Sequence, residues 1–164
     1  MTETIDRRLF LGLAGGGAVA ALVACGSEGT ATPAGAFEVR HSDAEWQKLL
    51  GPARFDILRR DGTESPFTSP LLNEHRRGTF LCAGCALPVY AATTKYDSGT
   101  GWPSFTAALP HAVVNRRDAT LGMARTEEHC RRCGGHLGHV FDDGPRPTGM
   151  RHCINGLALT FRSA

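Results

Sequence analysis

Gly144-Pro145-Arg146-Pro147-Thr148-Gly149-Met150-Arg151-His152-Cys153-Ile154-Asn155-Gly156-Leu157-Ala158-Leu159-Thr160-Phe161 reads as a sharp turn followed by an extended run toward the C-terminus. Gly and Pro punctuate the turn. A strand from Arg151 to Phe161 has a period of two, so it places Arg151, Cys153, Asn155, Leu157, Leu159 and Phe161 on one face and His152, Ile154, Ala158 and Thr160 on the other. The apolar half anchors the strand in a core. The polar half presents a cation, a thiol and a carboxamide, spaced about 7 Å apart. A free cysteine is commonly just a small buried hydrophobe. Cys153 differs in its neighbour, because a guanidinium two residues away favours the reactive thiolate.

Four of the six cysteines form two pairs, Cys82-Ala83-Gly84-Cys85 and Cys130-Arg131-Arg132-Cys133. Each C-x-x-C can supply two thiolates to one tetrahedral ion, and Gly84, Gly134 and Gly135 let the backbone turn around it. A structural zinc with ligands Cys82, Cys85, Cys130 and Cys133 is the favoured reading. Disulfides are the alternative if the chain works in an oxidising compartment. His136 and His139 follow closely enough to be considered as ligands, but four sulfurs already complete the tetrahedron and leave them for other work.

The N-terminus bears on the compartment. Arg7-Arg8 precedes an uncharged run rich in Gly and Ala that ends at Leu22-Val23-Ala24-Cys25. It resembles a twin-arginine export signal ending in a bacterial lipobox, with residues 1–24 removed and Cys25 lipidated. An uncleaved membrane anchor is the alternative, for which the run is slightly short. Residues 25–36, rich in Gly, Ser, Thr, Ala and Pro, then form a flexible tether to a domain spanning 37–164. The expectation is an exported protein, lipid-anchored to the cell envelope. That route exports folded proteins, so zinc could be loaded before export. One cysteine for lipid and four for metal leave Cys153 unassigned, and a lone thiol in an exported protein is worth flagging as reactive.

The length of 164 residues suits a single domain, and a net charge of +2 gives no reason to expect nucleic acid. Phe37 to Arg40 predicts a short strand. Ser42 to Gly51 predicts a short helix with Ser42 and Glu45 as a capping box and Gly51-Pro52 as its stop. Phe55 to Leu58 predicts a strand before a turn at Asp61-Gly62, and Ser65 to Pro70 a loop. Short extended runs follow at Thr79 to Cys82, Leu87 to Ala91, Ala112 to Asn115, Met123 to Thr126 and His139 to Phe141. This pattern describes a mainly antiparallel β domain.

The chain from about Trp46 to Phe161 resembles the peptide-methionine (R)-S-oxide reductases, the B-type methionine sulfoxide reductases. The resemblance is carried by Gly62-Thr63-Glu64-Ser65-Pro66-Phe67, by Lys95-Tyr96-Asp97-Ser98-Gly99-Thr100-Gly101-Trp102-Pro103-Ser104-Phe105, by Cys133-Gly134-Gly135-His136-Leu137-Gly138-His139-Val140-Phe141 and by Arg151-His152-Cys153-Ile154-Asn155, together with the first C-x-x-C. It implies a zinc-stapled β-tent of two antiparallel sheets with a short N-terminal helix. It also implies attack by Cys153 on the R epimer of methionine sulfoxide in proteins or peptides, giving methionine and a sulfenic acid. His139 would polarise or protonate the oxygen, with His136 as the second family histidine. Asn155 would bind that oxygen or its water, and Asp143 would orient a histidine. Trp102 and Phe105 would hold the methyl group. The sequence departs from many members at Thr100, where they carry a second cysteine. An external reductant, thioredoxin-like or a small-molecule thiol, would therefore reduce the sulfenic acid directly. His152 stands where an aromatic residue is frequent, and the alternation points it away from Cys153.

Two other functions compete. A zinc-stabilised binding module has no need of Arg151, Cys153 and Asn155 on one strand face. A disulfide oxidoreductase needs a redox-active C-x-x-C, typically in a βαβ setting, which two symmetric knuckles in a β-rich chain do not suggest.

Overall fold

The structure is a computed structural model that describes residues 37–119 and 124–164. The leader and tether readings, Cys25 included, fall on residues outside the described ones, as does Met123 of the expected strand. One helix, α1 (Asp43–Arg60), precedes the strands β1 (Gly78–Cys82), β2 (Pro88–Ala91), β3 (Lys95–Tyr96), β4 (Ser104–Phe105), β5 (Val113–Asp118), β6 (Arg125–Cys130), β7 (His136–Phe141), β8 (Arg151–Ile154) and β9 (Leu159–Ser163). These form a three-stranded sheet in the order β2-β1-β9 and a six-stranded sheet in the order β3-β4-β8-β7-β6-β5. Every pairing is antiparallel. The expectation of a mainly β, two-sheet fold with a short N-terminal helix holds.

The helix begins as its sequence dictates. Ser42 Oγ accepts from the Glu45 N–H at 3.4 Å while Glu45 Oε2 accepts from the Ser42 N–H at 2.8 Å, which satisfies donors that the first turn leaves open. Gly51 does interrupt it, with φ at +70°. Helix then resumes, because Pro52 has its φ fixed at a helical value and needs no N–H partner in a first turn. Phe55 to Leu58 is therefore helical and not the expected strand. Four residues are too few for periodicity to separate a strand from a buried helix face. Asp61 caps the helix at φ +55°, and the Gly62 N–H donates to the Asp56 carbonyl at 3.1 Å, so the expected turn is a helix terminus. Phe37 to Arg40 forms no strand either. It is held to Arg132 by the Val39 N–H donating to that residue's carbonyl at 3.0 Å and by Glu38 Oε1 accepting from its Nε at 3.1 Å, without a ladder.

Trp46, Phe55, Ile57 and Leu58 from α1 join a core that includes Phe80, Tyr90, Phe105, Leu137, Ile154 and Leu159. Phe105 stacks on Tyr90 at 4.4 Å and meets Phe80 edge-on at 5.0 Å. The single strand expected from Arg151 to Phe161 is in fact two strands in different sheets. β8 stops at Ile154, and from Asn155 a one-turn 3₁₀ helix, Gly156–Ala158, redirects the chain into β9. Glu64 accepts from the N–H groups of Gly156 and Leu157, which caps that turn with a buried carboxylate. The predicted alternation holds through Ile154 and is lost beyond Asn155.

One cluster joins the sheets. Cys82 closes β1, Cys85 lies just beyond it, and Cys130 and Cys133 flank the turn from β6 to β7. Their four sulfurs lie within 4.8 Å of one another, with Cys82 to Cys133 at 3.7 Å and Cys85 to Cys130 at 3.5 Å. A tetrahedral ion bonded at about 2.3 Å separates its sulfur ligands by about 3.8 Å, whereas a disulfide needs about 2.05 Å. The donors fit a structural zinc site, and disulfides within this group are set aside. Replacing Cys85 by Ser is expected to lower bound zinc below one per chain and the melting temperature by about 10 °C or more, since the ion's binding energy is folding energy. Unchanged zinc content and melting would contradict this role.

Candidate active site

Strand β8 lies between β4 and β7, so Cys153 pairs in register with Ser104 on one side and His139 on the other. Close approach of β7 and β8 depends on Gly138, where a Cβ would overlap the Cys153 carbonyl. The half-buried thiol faces an open cleft of about 450 Å³ whose walls include Trp102, Arg125, His139, Phe141 and Asn155. Thr100 Oγ1 lies 3.9 Å from Cys153 Sγ. Ser98 links that hydroxyl to Ser104, at 2.8 Å and 2.7 Å, so a chain of three hydroxyls runs beside the sulfur. Trp102 is fixed by its Nε1, which donates to the Glu64 carbonyl at 3.0 Å.

His139 is backed by Asp118, with Nε2 to Oδ2 at 2.9 Å, and Arg125 Nη2 reaches the same oxygen at 2.5 Å. Asp143, expected to orient a histidine, instead holds Arg151 in a two-point pair, both contacts at 2.8 Å. That hydrogen bonding keeps the Asp143 carboxyl below its ordinary range. The Arg151 guanidinium sits 4.4 Å above the Phe141 ring. Phe141 and Arg151 are register partners on β7 and β8, and this brings Asp143 within reach of Arg151 rather than of an imidazole.

The other expected residues divide. Asn155 is buried at the cleft's edge. Its Oδ1 accepts from the Glu64 N–H at 3.0 Å and its Nδ2 donates to the Leu137 carbonyl at 3.2 Å, leaving one amide hydrogen uncommitted. His136 is 1% exposed, with Nδ1 at 2.7 Å from Glu127 Oε1, and it lies behind the cleft with its ring 5.6 Å from that of His139. Burial pushes its pKa down against the pull of Glu127, so it is a neutral donor. Phe105, expected at the substrate, is fully buried in the core on the far side of β4, and Phe141 supplies the second aromatic wall. His152 points away from Cys153, with Nδ1 at 2.8 Å from Glu128. Asp118 and Arg125, the register pair next to the β5–β6 connection, have no place in the expectations from sequence. No motif spacing signals them, since the strand pairing brings them together.

A second convergence of metal-ligand types is formed by Asp61, Glu127, His129 and His136, and hydrogen bonds already engage Glu127, His129 and the Nδ1 of His136. Glu127 bridges His136 at 2.7 Å and His129 at 3.0 Å, and Arg116 reaches His129 at 2.7 Å, so a guanidinium supplies the positive charge there.

The SelR domain profile matches residues 50–163, a span that holds the four-sulfur cluster and the whole cleft. The chain is also 52% identical over 125 residues to a peptide methionine sulfoxide reductase MsrB of Agrobacterium fabrum, covering 76% of this chain and 93% of that one. A protein of the same name from Leptospira interrogans is 50% identical over 77% of this chain and 97% of its own. One from Methanosarcina barkeri is 44% identical over 76% and 89%. This chain belongs to the SelR-domain family.

Within this SelR domain the thiol of Cys153 is held protonated at rest. Burial raises its pKa above the ordinary thiol range, and hydrogen bonding from Thr100, the charge and hydrogen bond of Arg151, and Ser104 offset only part of that rise. Thr100 lowers the pKa, so removing its hydroxyl must raise it. Alkylation of Cys153 by iodoacetamide at pH 8 is expected to be slower in Thr100→Val by roughly threefold, because less of the thiol is ionised. A rate equal to or above that of the wild type would contradict this contribution.

Proposed function

We propose that this chain is a peptide-methionine (R)-S-oxide reductase, with Cys153 as its nucleophile. The observation that carries the reading is a half-buried thiol set opposite a carboxylate-backed imidazole, in a cleft walled by Trp102 and Phe141. The names of the relatives support the reaction class. Cys153 sulfur attacks the sulfoxide sulfur, the S–O bond breaks, and the oxygen ends on Cys153 as a sulfenic acid. Two electrons pass from the cysteine sulfur to the substrate sulfur, and the thiol proton ends on the transferred oxygen. His139 carries that proton, taking it as the sulfur attacks and returning it to the oxygen. Its Nε2 is committed to Asp118, which leaves Nδ1 for the transfer. Asn155 offers its remaining amide hydrogen to the oxygen, and Arg151 favours the thiolate as it forms. Trp102 and Phe141 exclude water around the methyl group, and their fixed placement selects the epimer.

Thr100 cannot form a disulfide with Cys153. The sulfenic acid is reduced by an external thiol donor, two thiols giving a disulfide, water and the regenerated Cys153. Zinc, held by Cys82, Cys85, Cys130 and Cys133, braces the fold. The sequence around Cys25 further supports export and lipid anchoring, and wild-type chain made in a bacterial host is expected to incorporate labelled fatty acid that Cys25→Ala does not. Equal labelling, or none in either, would defeat the anchor.

The direct test offers purified chain the R and S epimers of a methionine sulfoxide peptide with a thiol donor. R turnover is expected to exceed S turnover by at least about 100-fold, and Cys153→Ser is expected to abolish it. Comparable turnover of the S epimer, or activity surviving in the serine variant, would overturn the assignment.

A further inference from the structure

We infer that Ser98 is a positioning residue that withholds the Thr100 hydroxyl hydrogen from Cys153 while the thiol is at rest and yields it when the sulfur ionises. This deepens the proposed function and rests on the role given there to Cys153.

The turn between β3 and β4 brings the two hydroxyls together. Asp97 Oδ1 accepts from the Gly99 N–H at 2.9 Å and Gly99 takes φ +71°, which suits glycine, so the side chains of Ser98 and Thr100 meet at 2.8 Å. Ser98 Oγ also lies 2.7 Å from Ser104 Oγ. A hydroxyl carries one hydrogen and two acceptor positions. With two hydroxyl neighbours Ser98 can donate to only one, so it accepts from the other. Ser104, fully buried, has its hydrogen on the Trp102 carbonyl at 3.2 Å. Ser98 therefore donates to Ser104 and accepts from Thr100. The Thr100 hydrogen is taken up across 2.8 Å, while the sulfur lies 3.9 Å away and turns its own S–H to Thr100 Oγ1.

Ionisation of Cys153 reverses part of this chain. The thiolate has no hydrogen and draws the Thr100 hydroxyl to itself, because a charged acceptor outcompetes a neutral one. Three hydroxyls hold three hydrogens, so once Thr100 has turned, one contact between it and the Trp102 carbonyl is left without one. Ser104 turning to the sulfur as well would only add that carbonyl to the shortfall. Forming the thiolate thus costs a hydrogen bond that exists because Ser98 is there. The charged and titratable groups facing Cys153 are Arg151 on its own strand, bound to Asp143, His139 opposite on β7, Tyr96 beyond Ser104 on β3, and Arg125 across the cleft. Among the described residues the Ser98 side chain bonds only Thr100 and Ser104, so changing it leaves those groups in place.

The experiment follows alkylation of Cys153 by iodoacetamide from about pH 6 to about pH 10 in the full-length, zinc-loaded chain, with the modified peptide read by mass spectrometry. Ser98→Ala is expected to react roughly threefold faster than the wild type near pH 8, with the midpoint of the rate curve moved to lower pH and the high-pH plateau unchanged. Ser98→Thr, which keeps the hydroxyl, is expected to stay near the wild type, and Ser98→Gly serves if the alanine variant does not fold. In the Thr100→Val background, where there is no hydrogen to withhold, Ser98→Ala is expected to bring no acceleration. A midpoint unmoved or moved to higher pH in Ser98→Ala, or equal acceleration in both backgrounds as a merely loosened turn would give, overturns the inference. Alkylation needs no turnover, so a chain inactive on methionine sulfoxide would defeat the proposed function while the effect of Ser98 was still measured.

Discussion

Four sulfurs drawn within 4.8 Å tie the two sheets together, and the placement of the strand that carries Cys153 follows from that tie. The cluster grips the end of β1 and the turn between β6 and β7. Cys82 pairs in register with Leu159 at the start of β9, and β9 is continuous with β8 through the short turn after Asn155. On the other side Cys133 leads directly into β7, the strand that carries His139. Cys153 and His139 thus hang from opposite sides of the same cluster. Short strands and a small core supply limited burial, so an ion bound by these sulfurs would give a domain of this size rigidity that packing alone would supply less reliably.

Rigidity matters because the cleft works with modest forces. Burial alone would leave the Cys153 thiol inert. The Thr100 hydroxyl, the Arg151 guanidinium and Ser104 each recover a little of the cost of ionising it. Arg151 is itself aimed by Asp143 and by the face of Phe141, and Trp102 is aimed by the Glu64 carbonyl. The segment around Glu64 serves several parts at once. Its backbone receives Trp102 and engages Asn155, while its carboxylate caps the turn that sends the chain into β9. A change at Glu64 would disturb the cleft without touching substrate.

Features carried by local chemistry were legible in the sequence. The two C-x-x-C knuckles, the capping box at Ser42, the alternation through Cys153 and the outward turn of His152 depend on spacing and residue type alone. Features made by long-range pairing were not. Asp118 reaches His139 because β5, β6 and β7 are neighbours in a sheet, and Asp143 is taken by Arg151 because Phe141 and Arg151 face each other in register. Phe105 sits beside a Gly-Trp-Pro turn and looks like a cleft residue, yet strand β4 turns it onto Tyr90. Phe55 to Leu58 was ambiguous for a different reason. After the break at Gly51 the sequence offered an apolar run too short to show its period, and burial against the sheet decided in favour of helix.

The account divides the described cysteines into one sulfur that reacts and four that brace. The most direct test of that division is to mix the purified chain with excess R-epimer methionine sulfoxide peptide in the absence of any thiol donor, then count methionine formed, free thiols lost and zinc released. The account predicts one methionine per chain, loss of one thiol, and zinc fully retained. Loss of C-x-x-C thiols with release of zinc, or no methionine at all, would contradict it.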